Sequence, residues 1–255
     1  MELWAKEQIQ TLPWSIAAML LIAGILRVTL GKKSIMHRMI PFQIVAVLAF
    51  AIEVGKQAVS LQRGYDLYHL PFHFCSLFIF MLPIMAFYRG KHRNAVNGIT
   101  CALCASVFLL MLIYPALIYS GANVREYFTD YMSFHTVTFH NLVMFAFVLI
   151  IALDLHTPVP KADIKPIVWF IIGFCTVSAT MAHLLKTNYA NYYQCNVPPL
   201  EAVRVSLQSV LGYGFTQVLY IFIVSVLNVA FVLMSYWLCV LLHRILPSKN
   251  QAAPV

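Results

Sequence analysis

Charge is the scarcest commodity in this chain. Asp, Glu, Lys and Arg together make up 10% of its 255 residues, where soluble globular proteins carry about 25%. A surface so poor in charge could not be wetted over a fold of this size, which excludes an ordinary soluble domain. Acidic residues are the rarest of all, nine against 17 Lys and Arg, and the net charge is +8. No basic patch with interleaved aromatic residues accompanies that excess, so a nucleic-acid interface is not implied. The six cysteines do not form a disulfide framework either, because only Cys195 falls in an outer loop. No internal repeat and no pair of Gly/Pro-broken helices appears, features that transporter halves often show. A basic segment ahead of the first apolar run is also missing. Glu2, Trp4 and Glu7 stand there instead, so that run reads as a retained span rather than a cleaved signal.

What is abundant is apolar sequence. Hydrophobic residues make up 61% and the mean hydropathy is +0.79. A bilayer helix needs roughly 20 apolar residues, and seven stretches qualify, at about 13–31, 40–60, 70–88, 96–119, 135–154, 165–185 and 214–243. The expected fold is therefore all-α, a single polytopic domain of seven transmembrane helices over residues 1–255. The rest is short loops, a tail and one longer segment, 186–213, which holds an amphipathic run suited to a surface helix.

Basic residues orient this arrangement. Lys32, Lys33, Arg38, Arg89, Lys91, Arg93, Lys161, Lys165, Arg244 and Lys249 fall on one side; Lys6, Arg63, Arg125, Lys186 and Arg204 fall on the other. The positive-inside bias then places the N-terminus outside and the C-terminus in the cytoplasm.

Against this apolar background a few polar side chains stand out, because burying them in a membrane is costly. Glu53 and Lys56 share one face of the second stretch. His73 and Cys75 open the third, just after Pro71, a residue well placed in a first helical turn. His135 and His140 begin the fifth, beside Thr136 and Thr138. His183 closes the sixth, followed by Asn188 and Tyr189. With the orientation above, Glu53, Lys56, His73, Cys75, His140, His183 and Asn188 all lie in the outer third of the bilayer and His135 at the interface, which suggests one outward-facing polar pocket. Cys101-x-x-Cys104 has redox-like spacing, but it belongs to a face of small residues that suits helix packing.

A cysteine becomes a nucleophile when a neighbouring base stabilises its thiolate. Cys75 with His140 or His73 as base and Glu53 as orienting carboxylate fits that scheme, and at this depth lipid esters are natural substrates. On a straight helix, positions 73 and 75 lie about 200° apart, so a base for Cys75 would have to come from another span. His73, His135, His183, Asn188 and Tyr189 would then line the substrate pocket. Zinc donors are present in the same group, but no HxxxH or CxxC pair lies at that depth, and no metal or other cofactor is assigned. A non-catalytic lipid- or small-molecule-binding receptor or transporter could use the same groups to recognise a polar head. A third reading takes them as interhelical hydrogen bonds alone.

Several short motifs carry a family resemblance: Leu70-Pro71-Phe72-His73-Phe74-Cys75-Ser76, Glu53 upstream of it, Phe134-His135 followed by His140, and Thr187-Asn188-Tyr189. In order and spacing over roughly 40–235 they resemble the YwaF-like integral membrane proteins, bacterial relatives of a eukaryotic transmembrane acyltransferase of ether phospholipids. That resemblance implies acyl transfer or hydrolysis on a membrane phospholipid or other acyl lipid, with Cys75 as nucleophile and His140 as base. It also implies a bacterial cell membrane rather than a eukaryotic organelle membrane.

Overall fold

The computed structural model describes residues 3–245; Glu2 and Lys249 of the charge pattern lie outside the described residues. Among these the regular structure is helical: α1 Lys6–Leu30, α2 Ile35–Gln62, α3 Leu77–Phe87, α4 Arg93–Ile113, α5 Pro115–Ile118, α6 Gly121–Arg125, α7 Tyr131–Ala152, α8 Pro160–Leu184, α9 Pro198–Leu211 and α10 Tyr213–Ile245. Six of them (α1, α2, α4, α7, α8 and α10) are long and apolar enough to cross a membrane. Broad apolar faces on α1, α2 and α10 are exposed, including Leu21, Val28, Ile44, Phe222 and Leu227. Water would not tolerate such a belt, and lipid would cover it.

Local chemistry sets the element ends. The side chain of Asp130 accepts the Ser133 N–H at 2.9 Å and caps α7. Arg63 donates to the same carboxylate at 2.8 Å. These two donors hold the Asp130 carboxyl below its ordinary range, the Ser133 N–H first. Proline opens α5, α8 and α9, where a missing N–H costs nothing. The fourth predicted stretch, 96–119, breaks earlier than expected, at Tyr114. The residue before a proline is pushed towards extended geometry, and Tyr114 has φ −146° ahead of Pro115.

α4 is the central post, packing against α3, α7, α8 and α10. Its small residues Gly98, Cys101, Ala102, Cys104, Ala105 and Ser106 are buried and let neighbours approach on several sides. Cys101 and Cys104 are both fully buried and free. At one end of this post Asp163 of α8 ties three elements together. Its Oδ2 accepts the Tyr236 hydroxyl of α10 at 2.7 Å, the Val159 N–H at 2.8 Å and His156 Nε2 at 3.1 Å.

The third stretch departs most from expectation. A helix was expected over 70–88, but α3 begins only at Leu77 and is 11 residues long. Ahead of it, 66–76 folds as two short 3-10 turns, Leu67–His69 and Phe74–Ser76, joined by a tight turn between extended Leu70 and His73. Leu70 is extended, with ψ 149°, as the following Pro71 requires. Four carbonyls of this segment accept from side chains. Gln57 donates to His69 at 3.0 Å, Ser178 of α8 to Phe72 at 2.7 Å, His73 to Tyr68 at 3.0 Å, and the Tyr189 hydroxyl to Leu67. Irregular backbone at membrane depth is tolerated where it is buried in protein or lines a cavity, and Tyr68, His69 and residues 73–76 of this segment line one.

Candidate functional site

The irregular 66–76 segment, α2, α4, α7, α10 and the loop after α8 enclose a cavity of about 450 Å³. Its wall includes Glu53, His73, Cys75, His135, His140 and Asn188. These six residues come from four separate parts of the chain, and the fold brings them to one space. The remaining wall is divided in character. Lys56, Asn123, Asn191, Asn196 and Asn228 supply polar groups, while Val107, Leu110, Leu117, Ile118, Phe139 and Phe231 supply an apolar side.

His140 is the residue whose state the geometry defines best. Its side chain is 7% exposed, and Nδ1 lies 2.6 Å from the carbonyl oxygen of Thr136, one turn back on α7. A carbonyl only accepts, so Nδ1 carries the hydrogen. The neutral ring then leaves Nε2 with its lone pair. That Nε2 is buried and has no hydrogen-bond partner among the described residues. Buried polar atoms are rarely left in that condition. Cys75 sits in the second 3-10 turn, half-buried and free of any disulfide.

Glu53 belongs to a different pair. Its Oε2 lies 2.7 Å from His135 Nε2, and its Oε1 takes Lys56 Nζ at 2.6 Å and Gln57 Nε2 at 2.8 Å. With three donors, this carboxylate orients His135; the Thr136 carbonyl orients His140. His135 also stacks on Phe139, with centroids 5.4 Å apart. The cluster is therefore a buried, mutually neutralised cation, anion and imidazole, a state that membrane burial demands.

The separation of His73 from Cys75 has another cause than helix geometry. His73 is extended, with φ −82° and ψ 155°, and its Nε2 is committed to the Tyr68 carbonyl. Its ring packs between Tyr68, at 4.3 Å, and Tyr189, at 5.2 Å. Tyr189 is fully buried and stands behind this wall rather than in the cavity. Asn188 does line the cavity, while its amide closes the loop: Oδ1 accepts the N–H groups of Tyr193 and Gln194, and Nδ2 donates to Asn196. His183 lies elsewhere. Gln217 Nε2 approaches its Nε2 at 3.2 Å, and it faces a groove between α8 and α10.

Residues that sequence reasoning did not place in the site include Tyr68, Ser106, Asn123, Asn191 and Asn196. Ala190 and Asn191, both in the wall, have φ of 46° and 65°, the left-handed region that non-glycine residues avoid. Asparagine tolerates it. For Ala190 it is strain held in place by neighbours, among them the Tyr220 hydroxyl, which donates to the Asn191 carbonyl at 2.6 Å.

Among the described residues no cluster of three or more His, Cys, Asp or Glu side chains is arranged to hold a metal ion. Comparison with family models matches residues 3–237 to the TMEM164 family. Comparison with curated proteins and with solved structures returned no match.

Proposed function

The chain belongs to the TMEM164 family of transmembrane proteins, and from that premise we propose that it processes membrane lipids, moving an acyl chain through Cys75. The observation that carries this reading is the tautomer of His140: a buried Nε2 lone pair, unpartnered, in the wall of a cavity that Cys75 also lines. The polar and apolar halves of that wall suit an amphiphile, and the resemblance to YwaF-like proteins and the ether-phospholipid acyltransferase points the same way. In the proposed reaction His140 Nε2 takes the Cys75 thiol proton while Sγ attacks the ester carbonyl of a lipid. The ester C–O bond breaks and the leaving alkoxide takes the proton from His140, leaving a thioester on Cys75. A lysolipid hydroxyl, or water, then attacks the thioester. His140 takes that proton and returns it to the departing sulfur. Glu53, Lys56 and His135 hold one side of the cavity in fixed charge balance.

The seven-crossing topology belongs to the same proposal, with the cavity open to the outer side. The alternation of basic loops supports it, and Phe74–Phe87 is the additional apolar helix. A bacterial cell membrane is the proposed location.

The test compares the lipids of cells expressing native protein, Cys75→Ala and Cys75→Ser at matched levels. Acyl-chain remodelling present with native protein and abolished in both variants is the expected result. Serine shares the shape but lacks the thiolate, so a site that only binds a head group would tolerate Cys75→Ser. Unchanged lipids with that variant, together with no labelling of native Cys75 by an acyl-mimicking electrophile, would overturn the catalytic reading in favour of binding.

A further inference from the structure

A second space lies outside the cavity just described. Residues of α8 and α10 line a groove of about 1040 Å³. Ile172, Ala179 and Leu184 form one side, and Phe222, Val229 and Leu233 the other. Thr176 and Thr180 also line it, but their hydroxyls donate to carbonyls of their own helix, at 2.9 and 2.8 Å. Polarity is concentrated at one end. There His183 meets Gln217, and Gln217 Oε1 accepts from Arg204 at 2.9 Å. Arg204 in turn holds Glu201 from α9, whose carboxyl it keeps below the ordinary range.

The dimensions identify an occupant. At 1.5 Å per residue, the groove runs about 16 Å from His183 to Ile172 on α8 and about 22 Å from Val218 to Leu233 on α10. One leaflet is half of the roughly 30 Å hydrocarbon core. An apolar channel of about one leaflet's depth, with a polar cluster at one mouth and continuous with the lipid-facing belt of α10, matches a single acyl chain below its ester. The groove is also close to the cavity. Ser225 lines the groove, its Oγ lies 3.1 Å from the Tyr192 hydroxyl, and Asn228, which lines the cavity, donates to that hydroxyl at 3.4 Å. One layer of side chains separates the two spaces.

We propose that the α8/α10 groove is a second lipid site, in which one acyl chain of a membrane phospholipid lies along the two helices with its ester at the His183 and Gln217 end. This rests on the acyl-transfer reading for its purpose: transfer needs a donor and an acceptor, and the groove would hold one while the cavity holds the other.

The test reconstitutes the full chain in phosphatidylcholine nanodiscs containing a small fraction of phosphatidylcholine with a diazirine in one acyl chain. Crosslinked residues are mapped by mass spectrometry. Exposed Leu21 and Val28 of α1 report contact with bulk lipid. Labelling of Ala179 and Val229 several-fold above that level is expected. It should fall to the α1 level in Ala230→Trp, which fills the groove from the exposed side, and persist in Cys75→Ala. Persistence there separates the site from the catalytic reading, whose failure would appear only as unchanged lipids. Groove labelling no higher than that of α1 would overturn the proposal.

Discussion

Single residues carried most of what could be read in advance. An ionisable side chain in an apolar run announces itself, and depth arguments alone grouped Glu53, Lys56, His73, Cys75, His140, His183 and Asn188; all but His183, which faces the groove between α8 and α10, line one cavity. What depth could not supply is pairing across helices. Glu53 and His135 are 82 positions apart, and nothing local distinguishes His135 from His140 as the partner of that carboxylate. Likewise, no pattern announces left-handed backbone at Ala190, because its cause is the loop's tertiary clasp. The Glu53 network also makes a testable claim about energy. Removing one member of a buried ion pair strands the other charge and costs about 3–5 kcal/mol, whereas removing both often costs little. Glu53→Gln should therefore destabilise the protein strongly, and Glu53→Gln combined with Lys56→Met should recover much of the loss. Unfolding in mixed micelles by SDS titration measures both. Equal losses in the single and double variants would mean that Lys56 reaches the polar interface by itself and that the pair contributes little.

At the scale of elements, periodicity and length located the long helices, with ends displaced by a few residues where caps and prolines act. The third stretch was misread because hydropathy cannot tell a helix from apolar loop segments whose carbonyls are satisfied by distant side chains. Gln57, Ser178 and Tyr189 perform that role, and none is local to 66–76. The junction of α4 with α8 was equally hidden. A Cβ at Gly98 would lie 2.9 Å from Asp163 Cγ and 3.0 Å from its Oδ1. Asp163 cannot swing aside without releasing Tyr236, Val159 and His156. Gly98→Ala is therefore expected to overpack this contact and to cost about 1–3 kcal/mol. Asp163→Ala would be costly by itself, since it leaves buried donors unsatisfied, yet it opens the space. Adding Gly98→Ala in that background should cost much less than in the native chain. Additive losses, read from thermal unfolding of the two single variants and the double, would show that the glycine answers to some other neighbour.

For the whole molecule the open quantity is parity. Six crossings would leave both termini on one side of the membrane, and seven would separate them. Phe74–Phe87 rises only about 21 Å at helical pitch, short of the roughly 30 Å hydrocarbon core. Helix alone therefore does not complete the crossing. The 66–73 segment can supply the missing depth, because its backbone is bonded to side chains rather than exposed to lipid. The same shortening opens the space in which Cys75 and His140 share a cavity, so the proposed crossing and the site would have one structural origin. Charge adds an independent constraint. Arg89, Lys91 and Arg93 follow α3 at once, and such a cluster favours the cytoplasmic side. With Cys75 and Cys195 replaced by Ser, and Cys101, Cys104, Cys175 and Cys239 buried, one cysteine added at an exposed position can report each side through a membrane-impermeant maleimide. Gln62→Cys and Lys186→Cys should be labelled on intact cells. Lys33→Cys and Lys91→Cys should be labelled only after permeabilisation. Labelling of Lys91→Cys and Gln62→Cys from the same side would instead make 66–87 a re-entrant hairpin, leave six crossings, and reverse the side on which every later loop lies.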